Sequence, residues 1–162
     1  MRWGSASESI WPCTMSLSKD FVEFIACLND AQVEYLLVGG HALAFHGLPR
    51  FTKDIDFWVR ASPENAERVL AALAAFGFGG VGLGSSDFAT EGKIVQLGHP
   101  PNRIDLITTI DGVSFDAAFA RRVETTYHGH RLLVLHRDDL VANKLASGRE
   151  QDLLDVKRLT QS

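Results

Sequence analysis

Leu37-Val-Gly-Gly-His-Ala-Leu-Ala-Phe-His-Gly-Leu-Pro-Arg-Phe-Thr-Lys-Asp-Ile-Asp-Phe-Trp-Val59 is the stretch on which the reading of this chain turns. Tyr35-Leu-Leu-Val38 is a short apolar run of the kind found in a buried strand, and it leads straight into Gly39-Gly40. Ala42 to His46 favours a short helix, which Gly47 and Pro49 stop. From Asp54 to Val59 the pattern alternates. Ile55, Phe57 and Val59 fall on one side of a strand and Asp54, Asp56 and Trp58 on the other. Two carboxylates therefore leave one face of a strand within reach of a single hard cation. Like charges at that spacing repel by about 1 to 4 kcal/mol, so the site requires either a cation or a raised pKa. Magnesium meets the requirement, because it prefers oxygen ligands and is commonly shared between carboxylates and substrate phosphates.

Working outward, Leu17, Phe21, Phe24, Ile25 and Leu28 lie on one helical face, with Ser18 as cap and Asp20 in the first turn, which predicts a helix over 18–30. Ser62-Pro63-Glu64 opens a second long helix over 63–76. A glycine-rich loop over 77–84 and a helical turn near 86–90 follow. Strands are predicted at 94–97 and 103–110, joined by a hairpin-like connection through Gly98-His-Pro-Pro-Asn102. A short helix near 114–120, strands near 124–127 and 131–135, and helices at about 137–147 and 149–160 complete the order. The fold class is mixed α/β (α+β), a mixed central sheet flanked by helices. Residues 1–15 show no sustained period and read as a disordered tail or a mis-called start, leaving 16–162 as a single domain.

Composition agrees. Of 162 residues, 46% are hydrophobic and 22% charged, close to globular averages. No apolar run approaches the roughly 20 residues of a membrane span, no signal-peptide pattern opens the chain, and two cysteines do not make a disulfide framework, so a cytoplasmic protein without a membrane partner is expected. Net charge is −4, but residues 121–162 carry 8 Lys/Arg against 6 Asp/Glu while 1–120 carry 8 against 14. That mild basic excess suits a triphosphate better than long nucleic acid.

Other residues extend the site. Gly39 and Gly40 let a phosphate approach the backbone at a helix start, and Arg50 and Thr52 add a charged and a hydroxyl contact. Asp105, inside the apolar Arg103-Ile-Asp-Leu-Ile107, is the candidate third carboxylate, completing a clamp for two metal ions or acting as general base. Lys144, Arg149, Asp152 and Asp155 sit at helical spacings that suit a salt-linked face as well as a functional one. His41 and His46 suit packing or capping near the site, and Trp58 suits either the core or a stacked base.

Gly39-Gly40, Arg50-x-Thr52-x-Asp54-x-Asp56 and the later Asp105 together resemble the nucleotidyltransferase superfamily typified by DNA polymerase beta. Within it the chain looks like the minimal and abortive-infection (AbiEii-like) bacterial enzymes, whose later motifs resemble Asp139-Leu-Val-Ala-Asn-Lys144 and Arg149-Glu-Gln-Asp152-Leu-Leu-Asp155. The resemblance spans about 33–160. Many members carry Gly-Ser where this chain has Gly39-Gly40, and the larger C-terminal domain of the longer toxins is missing. By that likeness Asp54, Asp56 and Asp105 bind Mg2+, with Mn2+ as substitute, Gly39, Gly40, Arg50 and Thr52 hold the triphosphate, and Lys144 the nucleotide. A nucleoside monophosphate would pass from a nucleoside triphosphate such as ATP to a hydroxyl of a protein, an RNA or a small molecule. The setting would be toxin–antitoxin or phage defence, with a cognate toxin or antitoxin as protein partner. The rivals are an inactive partner-binding (antitoxin) module of the same fold and a metal-dependent phosphohydrolase.

Overall fold

The computed structural model describes residues 18–49 and 52–161. The tail, Leu17 and the Arg50 reading lie outside them. Helix α1 (Lys19–Asp30) starts where the Ser18 hydroxyl accepts the Phe21 N–H at 3.2 Å, and it buries Phe21, Phe24, Ile25 and Leu28. Strand β1 (Tyr35–Val38) is buried along its whole length and runs into α2 (Gly39–Phe45). Next come β2 (Asp54–Val59), α3 (Pro63–Phe76) and the single turn α4 (Ser86–Ala89). Then follow β3 (Ile94–Leu97), β4 (Arg103–Ile107), α5 (Phe115–Ala120), β5 (Val123–Tyr127) and β6 (His130–Val134). Helices α6 (Arg137–Ser147) and α7 (Glu150–Gln161) close the chain.

The six strands form one mixed sheet in the order β3-β4-β2-β1-β6-β5. The central pair β1 and β2 is antiparallel, with Val38 opposite Asp56. On its far side β2 pairs in parallel with β4, and there Asp54 faces Arg103 and Asp56 faces Asp105. Strands β3 and β4 form the expected antiparallel hairpin, as do β5 and β6. The turn between β5 and β6 is His128-Gly129, both with positive φ (51° and 79°), the two-residue geometry whose twist matches paired strands.

The alternation in β2 divides its environment. Phe57 packs against Phe24 and Tyr35 on the core side. Trp58, on the acidic side, meets Phe115 at 5.0 Å and is 2% exposed, so it belongs to the core and not to a stacking platform. One buried polar residue, Asn65 in the first turn of α3, ties strand ends together. Its side chain accepts the Glu34 N–H at 2.8 Å and donates to the carbonyls of Glu34 and Arg60, each at 3.0 Å.

Two boundaries depart from the sequence expectation. The strand predicted to Ile110 ends at Ile107, because Ile94 is the first residue of β3 and pairs with Ile107, leaving Thr109 and Ile110 outside the strand ladder. Helix α2 begins at Gly39 and not Ala42, since a glycine at φ +70° makes the corner in a single residue.

Candidate active site

The parallel register of β2 and β4 puts Asp54, Asp56 and Asp105 on one face. One carboxylate oxygen from each lies within 4.8 Å of the others. Asp105 sits in an interior strand and is 7% exposed, so it is not an edge residue facing water. Thr52 secures the entry to β2, its hydroxyl lying 3.0 Å from the Asp54 carbonyl and 3.1 Å from the Asp54 Oδ1.

Gly39 explains how the third carboxylate fits. A Cβ built there would stand 2.1 Å from the Asp56 Oδ2, so the carboxylate rests where a side chain would otherwise be. Gly40 in turn packs against Thr52, whose Cβ would be 3.3 Å from an added methyl. The glycine pair thus brings the helix corner against the acidic strand.

The cluster carries its own cation. Arg103 donates from Nε and Nη2 to the two oxygens of Asp105 at 2.9 and 3.0 Å, and from Nη2 to Asp54. Even so, burial, followed by the charges of Asp54 and Asp105, raises the Asp56 carboxyl from 3.8 to about 7, against the opposing pull of Arg103. A carboxyl so strained toward its neutral form is what three oxygen donors show when their positive charge is insufficient. The set therefore fits a divalent ion, which favours hard oxygen ligands. Arg103 was missed in the sequence, though its place two residues before Asp105 puts it on the same strand face.

A cavity of about 330 Å3 opens over Gly39 and Asp56, and its far wall includes Asn143, Ser147 and Arg149 from α6 and the start of α7. Asn143 also holds the Asp111 carbonyl at 3.0 Å. Lys144 does not line this cavity. Its ammonium lies 3.0 Å from Asp152 and 3.1 Å from fully buried Asp155, so it ties α6 to α7. Asp152 also accepts from Ser147 and from the Arg149 Nε at 2.9 Å. Burial alone would raise its carboxyl, but hydrogen bonds from Ser147, Lys144 and Arg149 win and hold it down to about 2. This leaves the Arg149 side chain, 80% exposed, as the cation at the cavity mouth.

The histidines divide. The His46 ring lies 2.7 Å from the Leu135 carbonyl, to which an N–H donates. His41 is buried edge-on to Phe21, and burial lowers it to about 4 despite the charge of Asp54, so it is a neutral packing group.

A mixed sheet, a glycine corner and three carboxylates from two parallel strands make up the candidate site. The chain belongs to the family described as a nucleotidyltransferase of unknown function (DUF6036), whose model matches residues 19–160. No curated protein matches the sequence. Among the described residues no helix is long and apolar enough to cross a membrane.

Proposed function

We propose that the protein is a magnesium-dependent nucleotidyltransferase that moves a nucleoside monophosphate from a nucleoside triphosphate to an acceptor hydroxyl. The observation that carries this reading is the meeting of Asp54, Asp56 and Asp105 beside Gly39. These three side chains would hold the metal, which when bound neutralises phosphate charge and makes an acceptor hydroxyl more acidic. The Gly39-Gly40 backbone, Thr52, Arg50 and Arg149 would hold the triphosphate, while Lys144 acts on the nucleotide only indirectly, by keeping Asp152 and Arg149 in place. The acceptor oxygen attacks the α-phosphorus, the bond to the bridging oxygen breaks, and pyrophosphate leaves. The hydroxyl proton passes to the Asp105 carboxylate or to solvent. A cytoplasmic toxin–antitoxin or phage-defence setting belongs to the same proposal.

The test is transfer of α-32P from each of the four triphosphates, with magnesium and a cell extract. Labelled product that vanishes on Asp54→Ala with Asp56→Ala supports the reading. Absence of any product would favour the non-enzymatic partner-binding module, and release of inorganic phosphate in place of pyrophosphate would favour a phosphohydrolase.

A further inference from the structure

A second and larger cavity, about 450 Å3, opens beyond the carboxyl ends of β2 and β4. Trp58 lines it, two residues along β2 from Asp56 on the same strand face, hence about 7 Å away. It shares Thr109 and Ile110 with the cavity over Gly39 and Asp56, so the two adjoin.

We propose that this cavity is the acceptor subsite and that the acceptor is a small hydroxyl compound, uncharged or cationic, and not a nucleic acid. The proposal rests on the nucleotidyl-transfer reading above and narrows its acceptor. Charge is the first argument. The lining holds the carboxylates of Glu91 and Asp116 and one cation, Arg60. That cation is already committed, because its Nε lies 2.5 Å from Glu34, its Nη1 donates to Asp116, and its guanidinium packs 4.8 Å from the Phe115 ring. Two lining carboxylates against one spent guanidinium disfavour a phosphate backbone, which is held by unpaired Lys and Arg.

Size and hydrogen bonding give the second. The volume falls within the roughly 300–1,000 Å3 range of small-molecule sites, whereas a lone serine or tyrosine side chain would leave much of it empty. Thr109 and Ser114 each accept a backbone N–H, from Gly92 at 2.7 Å and Ala117 at 3.4 Å, which leaves their own protons to donate.

The experiment fractionates the label of the transfer assay by size, ribonuclease and protease treatment, and retention on a cation exchanger. Two variants accompany it: Glu91→Lys, an exposed reversal of charge, and Val113→Trp, which fills the cavity. Magnesium–triphosphate binding is measured on each by calorimetry. The expected result is label in the nuclease- and protease-resistant small-molecule fraction, transfer cut tenfold or more in both variants, and unchanged triphosphate affinity. Label in RNA or protein overturns the proposal, as does small-molecule transfer that both variants leave intact. Loss of triphosphate binding in Val113→Trp, with Glu91→Lys folded and melting as wild type, assigns the cavity to the nucleoside and overturns it too. No label in any fraction sinks the transfer reading itself, and this one with it.

Discussion

Replacing Asp56 with asparagine should make the metal-free protein more stable while abolishing its activity. The Asp56 carboxyl titrates near about 7 in the fold against 3.8 ordinarily. A folded-state pKa that lies above the unfolded one means that folding takes up a proton. The associated stability is complete below about pH 4 and is lost as pH rises through 7. At about 1.4 kcal/mol per unit, ionising this side chain costs the native state at most roughly 4 kcal/mol. A Coulomb estimate agrees: one like charge within 4.8 Å at an effective dielectric near 20 costs about 3 kcal/mol, part of which Arg103 offsets. A net gain of about 1 to 3 kcal/mol for Asp56→Asn corresponds to about 2–12 °C in melting temperature for a chain of this size. The assay is a thermal melt by circular dichroism in chelator, near pH 5 and near pH 8, repeated with millimolar magnesium. The variant should exceed wild type near pH 8 and by much less near pH 5, and magnesium should stabilise wild type alone. A variant that melts at or below wild type near pH 8 in chelator would refute the electrostatic account of the cluster.

Three further perturbations test neighbouring parts. Arg103→Met removes the guanidinium from Asp54 and Asp105 and should lower the melting temperature near pH 8, a loss that magnesium restores; a melt that magnesium leaves unchanged contradicts the role given to this cation. Gly39→Ala meets both a φ of +70° and an Asp56 oxygen at 2.1 Å, so it should lose at least about 2 kcal/mol and weaken magnesium binding tenfold or more by calorimetry. Lys144→Met strands two buried carboxylates and should cost about 3–5 kcal/mol in urea melts, whereas Lys144→Met combined with Asp155→Leu should recover much of it.

Much of the fold was legible because its elements are punctuated. Ser18 and Ser62 cap helices, Pro63 and Gly77 bracket α3, and the alternation from Asp54 to Val59 defines β2 to the residue. Strand pairing was not legible, since nothing local in Arg103–Ile107 announces that it lies parallel to β2 and not at an edge. The overextension to Ile110 has the same origin: Thr108-Thr109-Ile110 has strand-forming residues, but a strand ends where its partner does. The three carboxylates could be named from spacing and likeness. Their counter-ion Arg103 was less plain: its place two residues before Asp105 sets it on the acidic face, but its reach to Asp54 depends on a register across 49 residues of chain. Lys144 shows the converse, a cation in a recognisable motif whose partners, Asp152 and Asp155, turn it inward toward the helix pair. Asn65 belongs to no motif, and only the fold reveals that it holds Glu34 and Arg60.

The register of β4 against β2 also bears on how the protein comes together. Until β4 docks, Asp54 and Asp56 have neither the third acid nor the arginine for company. Because Arg103 and Asp105 ride on the same strand, repulsion and its antidote are delivered in a single pairing event. The chain is thus spared a state in which three bare carboxylates crowd together, and the acidic cluster is complete only once β4 lies beside β2.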